Sequence, residues 1–178
     1  MRKKIEIFDF ANEIINGVKT GVLLTTKVGN KVNSMTISWG TLGIEWGKPI
    51  FTAYVRESRF TKGQLEKNPE FTINIPYGEF DQKILGFCGS KSGHTVDKIQ
   101  DLCLTLMEPD QISVPGIKEL PLTLECKVIY KQKQDLDKLQ EEDRMKYYPQ
   151  DVDSSGHGPT QDIHTAYYGE IISAYILE

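Results

Sequence analysis

Apolar and polar positions alternate over short stretches of this chain, and the alternation is broken often by glycine and proline. Residues 21–28 (Gly-Val-Leu-Leu-Thr-Thr-Lys-Val) predict a strand, Gly29 and Asn30 a two-residue hairpin turn, and residues 32–39 the returning strand. The turn order is the reverse of the usual Asn-Gly, and the returning strand alternates imperfectly, with small polar members. Residues 50–56 are β-branched and aromatic, and residues 70–75 alternate cleanly; both predict strands. Residues 121–132 and 166–177 predict two longer ones. Between the strands, residues 59–67 predict a short helix capped by Ser58 and stopped by Asn68 before Pro69. Residues 80–87 and 96–102 read as helices around a Gly/Ser-rich loop, residues 134–147 as one highly charged helix, and residues 149–162 as a mobile loop.

About six or seven strands, mostly antiparallel by hairpin logic, with three or four short helices, predict a mainly β fold: a closed or split β-barrel with peripheral helices. A β-sandwich is the alternative. A doubly wound fold is disfavoured, because strands and helices do not alternate regularly and no GxGxxG follows a strand.

The chain has 178 residues, of which 39% are hydrophobic and 26% charged, the composition of one globular domain spanning residues 1–178. A formal net charge of −4 argues against a nucleic-acid-binding protein. No apolar run is long enough to span a bilayer, and no signal peptide is read at the N-terminus. Cys88, Cys103 and Cys126 form no CxxC pair, so neither a disulfide frame nor a zinc knuckle is expected, and a cytoplasmic setting fits.

Three segments carry candidate chemistry. Two of the four arginines, Arg56 and Arg59, stand where a strand gives way to a helix, with Ser58 and Thr61 beside them. Guanidinium forks and hydroxyls at a helix start suit a phosphate. The same residues also fit a plain Ser cap with an ion pair through Glu57. In the second segment, Thr36, Ser38 and Trp39 with Gly40 could let a flat ring lie against a strand edge, although a half-exposed strand with one core Trp fits equally. The third segment, Phe87-Cys-Gly-Ser-Lys-Ser-Gly-His, is not a Walker A loop, because Ser90 separates Gly89 from Lys91. It remains either an anion-binding turn or an ordinary connection. His94, His157 and His164 with Asp162 match no common zinc spacing, so no metal is expected. Cys88 reads as a small buried hydrophobe unless it is redox-active.

In order, Met35-Thr-Ile-Ser-Trp, Arg56-x-Ser-Arg-x-Thr61, Phe71-Thr-Ile-Asn-Ile, Ser92-Gly-His-Thr-Val-Asp-Lys98 and His164 with Gly169-Glu-Ile resemble the flavin reductase-like family, FMN-binding split-barrel proteins, and within it the flavoredoxin-like branch. The resemblance covers roughly residues 12–175. It implies a homodimer with FMN near the subunit interface. Asn33, Thr36, Ile37, Ser38 and Trp39 would lie along the isoalloxazine ring, and Arg56, Ser58, Arg59 and Thr61 would hold the phosphate. The loop with Cys88, Gly89, Ser90 and Ser92 would close over the cofactor, with Lys98 at the N1–O2 edge of the ring. His164 would stand where a nicotinamide or substrate approaches. The implied activity is an FMN-dependent oxidoreductase that takes hydride from a nicotinamide or another donor and passes electrons to a small-molecule or protein acceptor. The alternative is a non-catalytic flavin-binding electron carrier, store or sensor. One departure is visible: where many relatives have adjacent Asp and His, Ile163 separates Asp162 from His164.

Overall fold

The computed structural model describes residues 1–154 and 158–178. His157 lies outside the described residues, and so does its part in any metal spacing.

The chain opens with strand β1 (Arg2–Lys4), a 3-10 turn (Ile7–Phe10) and helix α1 (Ala11–Thr20), which buries Ile14 and Val18 one helical turn apart. The first hairpin joins β2 (Val22–Val28) to β3 (Lys31–Ile37), with Val28 opposite Lys31. Gly29 has φ +56° while Asn30 stays at negative φ. This turn needs a positive φ only at its first position, which is why the order Gly-Asn works. The second hairpin joins β4 (Gly40–Glu45) to β5 (Lys48–Arg56), through Trp46 at φ +52° and Gly47 at φ +70°.

Next come α2 (Phe60–Leu65), β6 (Glu70–Ile75), α3 (Lys83–Ser90), α4 (Lys98–Asp101) and a two-stranded ribbon of β7 (Leu106–Met107) with β8 (Gly116–Ile117). The chain ends with β9 (Leu122–Lys133), α5 (Glu141–Tyr147) and β10 (His164–Leu177).

The main sheet runs β3-β2-β6-β9-β10-β5-β4, with β1 added to β10, and its pairings are antiparallel. The long β9–β10 ladder shifts register between Tyr168 and Gly169 and again between Ile171 and Ser173. Such bulges bend a strand and increase its twist, so the sheet curls. Its two ends, β3 and β4, are joined by Ser38 and Trp39 but share no ladder. The architecture is therefore a split barrel, mostly antiparallel, with helices outside. Gly169 sits at a close approach inside the barrel: a Cβ there would stand 2.5 Å from Phe71 Cζ and 2.8 Å from Cys126 Cβ.

The barrel is filled by Leu24, Phe51, Phe71, Ile73, Leu124 and Tyr167, all with at most 1% of their surface exposed. Burial of side chains of this size contributes about 1.5–3 kcal/mol each. A smaller cluster of Leu23, Ile84, Cys88 and Ile117 seats α3 on the outer face of β2. A polar knot crosses this packing. Asn74 Nδ2 donates to Thr25 Oγ1 (3.0 Å) and Thr72 Oγ1 (3.1 Å), and its Oδ1 accepts from the Ile117 backbone N–H (2.8 Å).

Several predicted elements change. Helix α1 and strand β4 fall outside the predicted set. The charged stretch 134–147 is not one helix: a 3-10 turn (Leu136–Lys138) is capped by Asp135, whose carboxylate accepts from Asp137 N, and α5 starts only at Glu141. Residues 159–162 of the expected mobile loop are tied down, with Thr160 and Asp162 buried. Ser58 does not cap α2; the capping position is Arg59 and no side chain caps it. The Ser58 hydroxyl and its backbone N–H both turn instead to the Asp162 carboxylate, the N–H at 3.2 Å from Oδ2.

Candidate functional site

Two adjoining cavities open along the end strand β3, and they share Met35, Thr36 and Arg59. The wider, of about 300 Å³, is walled by Met35, Ile37, Ser38 and Trp39 from β3 and its exit, Tyr54 and Arg56 from β5, Tyr147 from α5, and His164. The narrower, of about 70 Å³, is walled by Asn33, Ser58, Phe60, Thr61, Cys88, Gly89, Ser92, Gly93 and Lys98. Together they form one groove with an aromatic end and an end lined by hydroxyls and cations.

The aromatic end is built by contacts across the barrel. Antiparallel pairing of β10 with β5 sets His164 opposite Arg56. The Trp39 ring lies 5.3 Å from Tyr147 in an edge-on pair and 4.9 Å from the His164 ring. His164 Nδ1 is 2.7 Å from the Tyr148 hydroxyl, which is also 2.7 Å from Gln134 Oε1. A phenol has one proton. With it donated to Gln134, the imidazole donates from Nδ1 and keeps its lone pair on Nε2.

Burial, and then the charges of Arg56 and Arg59, push His164 down to about 3. The ring is thus neutral at physiological pH and does not serve as a general acid. The Tyr148 phenol is pushed up to about 12, chiefly by burial. Desolvation also lowers Arg56, against the raising effect of Asp162.

The His164 shift has a consequence for stability. The folded chain resists a proton that the unfolded chain takes up near pH 6.5. The site costs nothing above that pH, and it lowers stability as pH falls toward 3, by up to about 1.4 kcal/mol per unit. Denaturant unfolding of His164→Gln should therefore depend less on pH over this window than unfolding of the unmodified chain. Parallel pH profiles would contradict the assignment.

At the narrow end, Asn33 Nδ2 donates to Thr61 Oγ1 (3.0 Å), both side chains buried, so the Thr61 hydroxyl proton has no acceptor among the described residues. Gly93 packs so closely that a Cβ there would sit 2.4 Å from Asn33 Oδ1. Ser92 Oγ accepts from the His94 N–H at 3.2 Å and likewise keeps its own proton. Lys98, 4% exposed, donates to Ser34 O (3.0 Å) and Cys88 O (2.8 Å), which leaves one ammonium N–H. Arg59 has no carboxylate within 4.0 Å among the described residues, so the ion pair through Glu57 is not formed; Glu57 pairs with Lys62 at 3.4 Å.

The expected residues other than Ser90 are thus gathered, but not in the expected partition. Arg56 belongs to the aromatic end and Arg59 to both ends, with the Arg59 N–H closing a turn on Arg56 O (3.1 Å). Arg56 also donates to Thr160 Oγ1. Helix α2 has only six residues, so side chains, not a helix start, make the narrow end. Lys98 stands at the narrow end, not beside the aromatic one, and ties α4 to β3 and α3. Thr36 gives its proton to Leu85 O at 2.6 Å. Ser90 lines neither cavity, since its hydroxyl turns back to Phe87 O at 3.4 Å. Cys88 lines the narrow end through a buried thiol pushed up to about 11, so it is no thiolate. Met35, Tyr54, Tyr147 and Tyr148 were not foreseen. The adjacent tyrosines at the end of a charged stretch were the one visible signal for the last two. Among the described residues no cluster of His, Cys, Asp and Glu could hold a metal, and no helix is long and apolar enough to cross a membrane.

The sequence model of the flavin reductase like domain matches residues 16–178. The chain belongs to this family. An uncharacterized protein of Archaeoglobus fulgidus is 31% identical over 99 residues, 56% of this chain and 55% of the relative. The chain spans a little more than half the length of the curated relatives it matches. Among solved structures, flavoredoxin from Methanosarcina acetivorans is 26% identical with a TM-score of 0.63, over 89% of this chain and 68% of the other. The FMN-binding domain of a flavin reductase-like enzyme from Shewanella baltica superposes with a TM-score of 0.68 at 16% identity, over 99% and 77%. At that identity the second likeness speaks for the fold.

Proposed function

We propose that the groove on β3 binds flavin mononucleotide, and that the chain is an FMN-dependent oxidoreductase passing electrons from a nicotinamide to an acceptor. The observation that carries this reading is the division of one groove into an aromatic end and a small end rich in donors. A flavin nucleotide has the matching division, a flat tricycle joined by a ribityl chain to a phosphate. The donor set fits: Thr61 and Ser92 hold free hydroxyl protons, Lys98 one N–H, and Arg59 an unpaired fork. An anion there meets several charge-assisted bonds and no carboxylate that must first be displaced from Arg59. The family match supports a flavin ligand.

Bound flavin supplies hydride and electron chemistry, so no protein nucleophile or general acid is required. The residues of the chain bind and orient. Trp39 and Met35 shape the face against which the ring would lie. Ser58 is held by Asp162 and acts on the site by fixing the turn that carries Arg59. Neutral His164 offers a lone pair and an aromatic face beside the ring end, where a nicotinamide carboxamide could donate to it.

Absorbance of the purified protein, followed by NADH and NADPH oxidation with FMN and ferricyanide present, tests the reading. Flavin bands with turnover are expected. Flavin bands without turnover would replace the enzyme by an electron carrier. A protein that neither retains nor takes up flavin would remove both.

A further inference from the structure

Behind His164 runs a hydrogen-bond chain that begins at Gln134, the first residue after β9. The Gln134 backbone N–H donates to His164 O at 3.0 Å, which holds the two residues side by side. Tyr148 follows α5, with its N–H on Arg144 O at 2.9 Å and only 3% of its surface exposed. Its phenol stands between Gln134 Oε1 and His164 Nδ1, at 2.7 Å from each. Neither Gln134 nor Tyr148 lines the two-part groove. Gln134 lines instead a further cavity, of about 320 Å³, which shares Ser38, Trp39 and Tyr54 with the aromatic end.

This chain has a direction. The carbonyl Oε1 of Gln134 only accepts, so the phenol proton goes to it. The phenol oxygen then accepts, and His164 supplies the Nδ1–H. Burial keeps the imidazole neutral, so a ring with its proton on Nδ1 has none on Nε2. Nε2 is the ring nitrogen left to the wider cavity, and among the described residues no hydrogen bond occupies it. A ligand facing that nitrogen has to bring an N–H or O–H. A carbonyl oxygen there sets lone pair against lone pair.

We propose that Gln134 and Tyr148 are positioning residues that set the tautomer of His164, and that they thereby select, as electron donor, a reduced nicotinamide whose carboxamide presents an N–H over analogues that present only a carbonyl. The proposal rests on the oxidoreductase reading of the groove. It goes beyond that reading by placing the choice of donor at an amide that lines no part of the groove.

Reduced acetylpyridine adenine dinucleotide supplies the comparison, since a methyl ketone replaces the carboxamide and carries no N–H. Values of kcat/KM for NADH and for this analogue would be measured on the unmodified chain, on Gln134→Leu and on Gln134→Glu. Gln134 is half-buried at the end of its strand, so both variants should fold. Leucine removes the acceptor, so the phenol proton turns to His164 Nδ1 and the ring proton moves to Nε2. That nitrogen then donates to a carbonyl, which both donors have. Gln134→Leu should therefore raise kcat/KM for the analogue about tenfold, the worth of one neutral hydrogen bond, and leave NADH within about twofold. Glutamate accepts as the amide does, and should keep the ratio of the unmodified chain. Equal losses for both donors in Gln134→Leu are what a merely structural role produces, and they overturn the proposal.

The tautomer is read without turnover from the nitrogen chemical shifts of the His164 ring by NMR. The pyridine-like nitrogen should be Nε2 in the unmodified chain and in Gln134→Glu, and Nδ1 in Gln134→Leu. The reverse order in the unmodified chain, or the same order in Gln134→Leu, overturns the proposal. FMN should bind all three proteins alike, because Gln134 lines neither part of the groove. If FMN binds none of them, or neither nucleotide is oxidised, the oxidoreductase reading fails and the selection of a donor fails with it. The nitrogen shifts still decide in that case whether Gln134 and Tyr148 set the tautomer.

Discussion

Replacing Arg59 and Thr61 together by alanine should weaken FMN binding by about 2–4 kcal/mol, one charge-assisted bond plus one neutral bond. That corresponds to roughly a 30- to 700-fold rise in Kd by fluorescence titration. The pair is chosen because both groups have bonding capacity the folded chain does not use. Arg59 lines both parts of the groove without a carboxylate partner, and the Thr61 hydroxyl already accepts from Asn33 and has only its proton to give. Arg59→Ala alone separates the charge from any packing effect at buried Thr61. An unchanged Kd in both variants would show that the anion is held elsewhere.

The largest expected loss of stability lies at Asn74. Asn74→Leu removes the amide that donates to Thr25 and Thr72 and accepts from the Ile117 N–H, all among buried neighbours. The Ile117 N–H would be left unsatisfied, at about 1–3 kcal/mol, and the hydroxyls of Thr25 and Thr72 would lose their donor. About 3–5 kcal/mol in total is expected, since each neighbouring hydroxyl is polarised by the same amide. Urea unfolding measures it. A loss below about 1 kcal/mol would mean that water or a rearranged Thr25–Ser34 pair, now at 2.7 Å, replaces the amide without cost.

Strands β2, β5, β6, β9 and β10 were legible because each buries a run of β-branched or alternating residues against one barrel core. Helix α1 was not, since only Ile14 and Val18 mark its buried face. Strand β4 carries two glycines and lies at the sheet end, where burial imposes little pattern. The charged stretch before Tyr147 looked continuous because charge alone does not show where Asp135 turns its carboxylate onto the backbone. In the site, residue types were legible and their partition was not. Arg56 and Arg59 are three positions apart, yet one lines the aromatic end and the other both ends. The pairing of His164 with Tyr148 joins residues 16 positions apart, and no local spacing announces it.

Comparing FMN with riboflavin tests the central claim most directly, because the two differ only by the phosphate. Titrated side by side under the same ionic strength, FMN should bind about a hundredfold more tightly, consistent with two or three charge-assisted bonds partly offset by desolvation. Equal affinities would contradict an anion held between Arg59, Thr61 and Lys98.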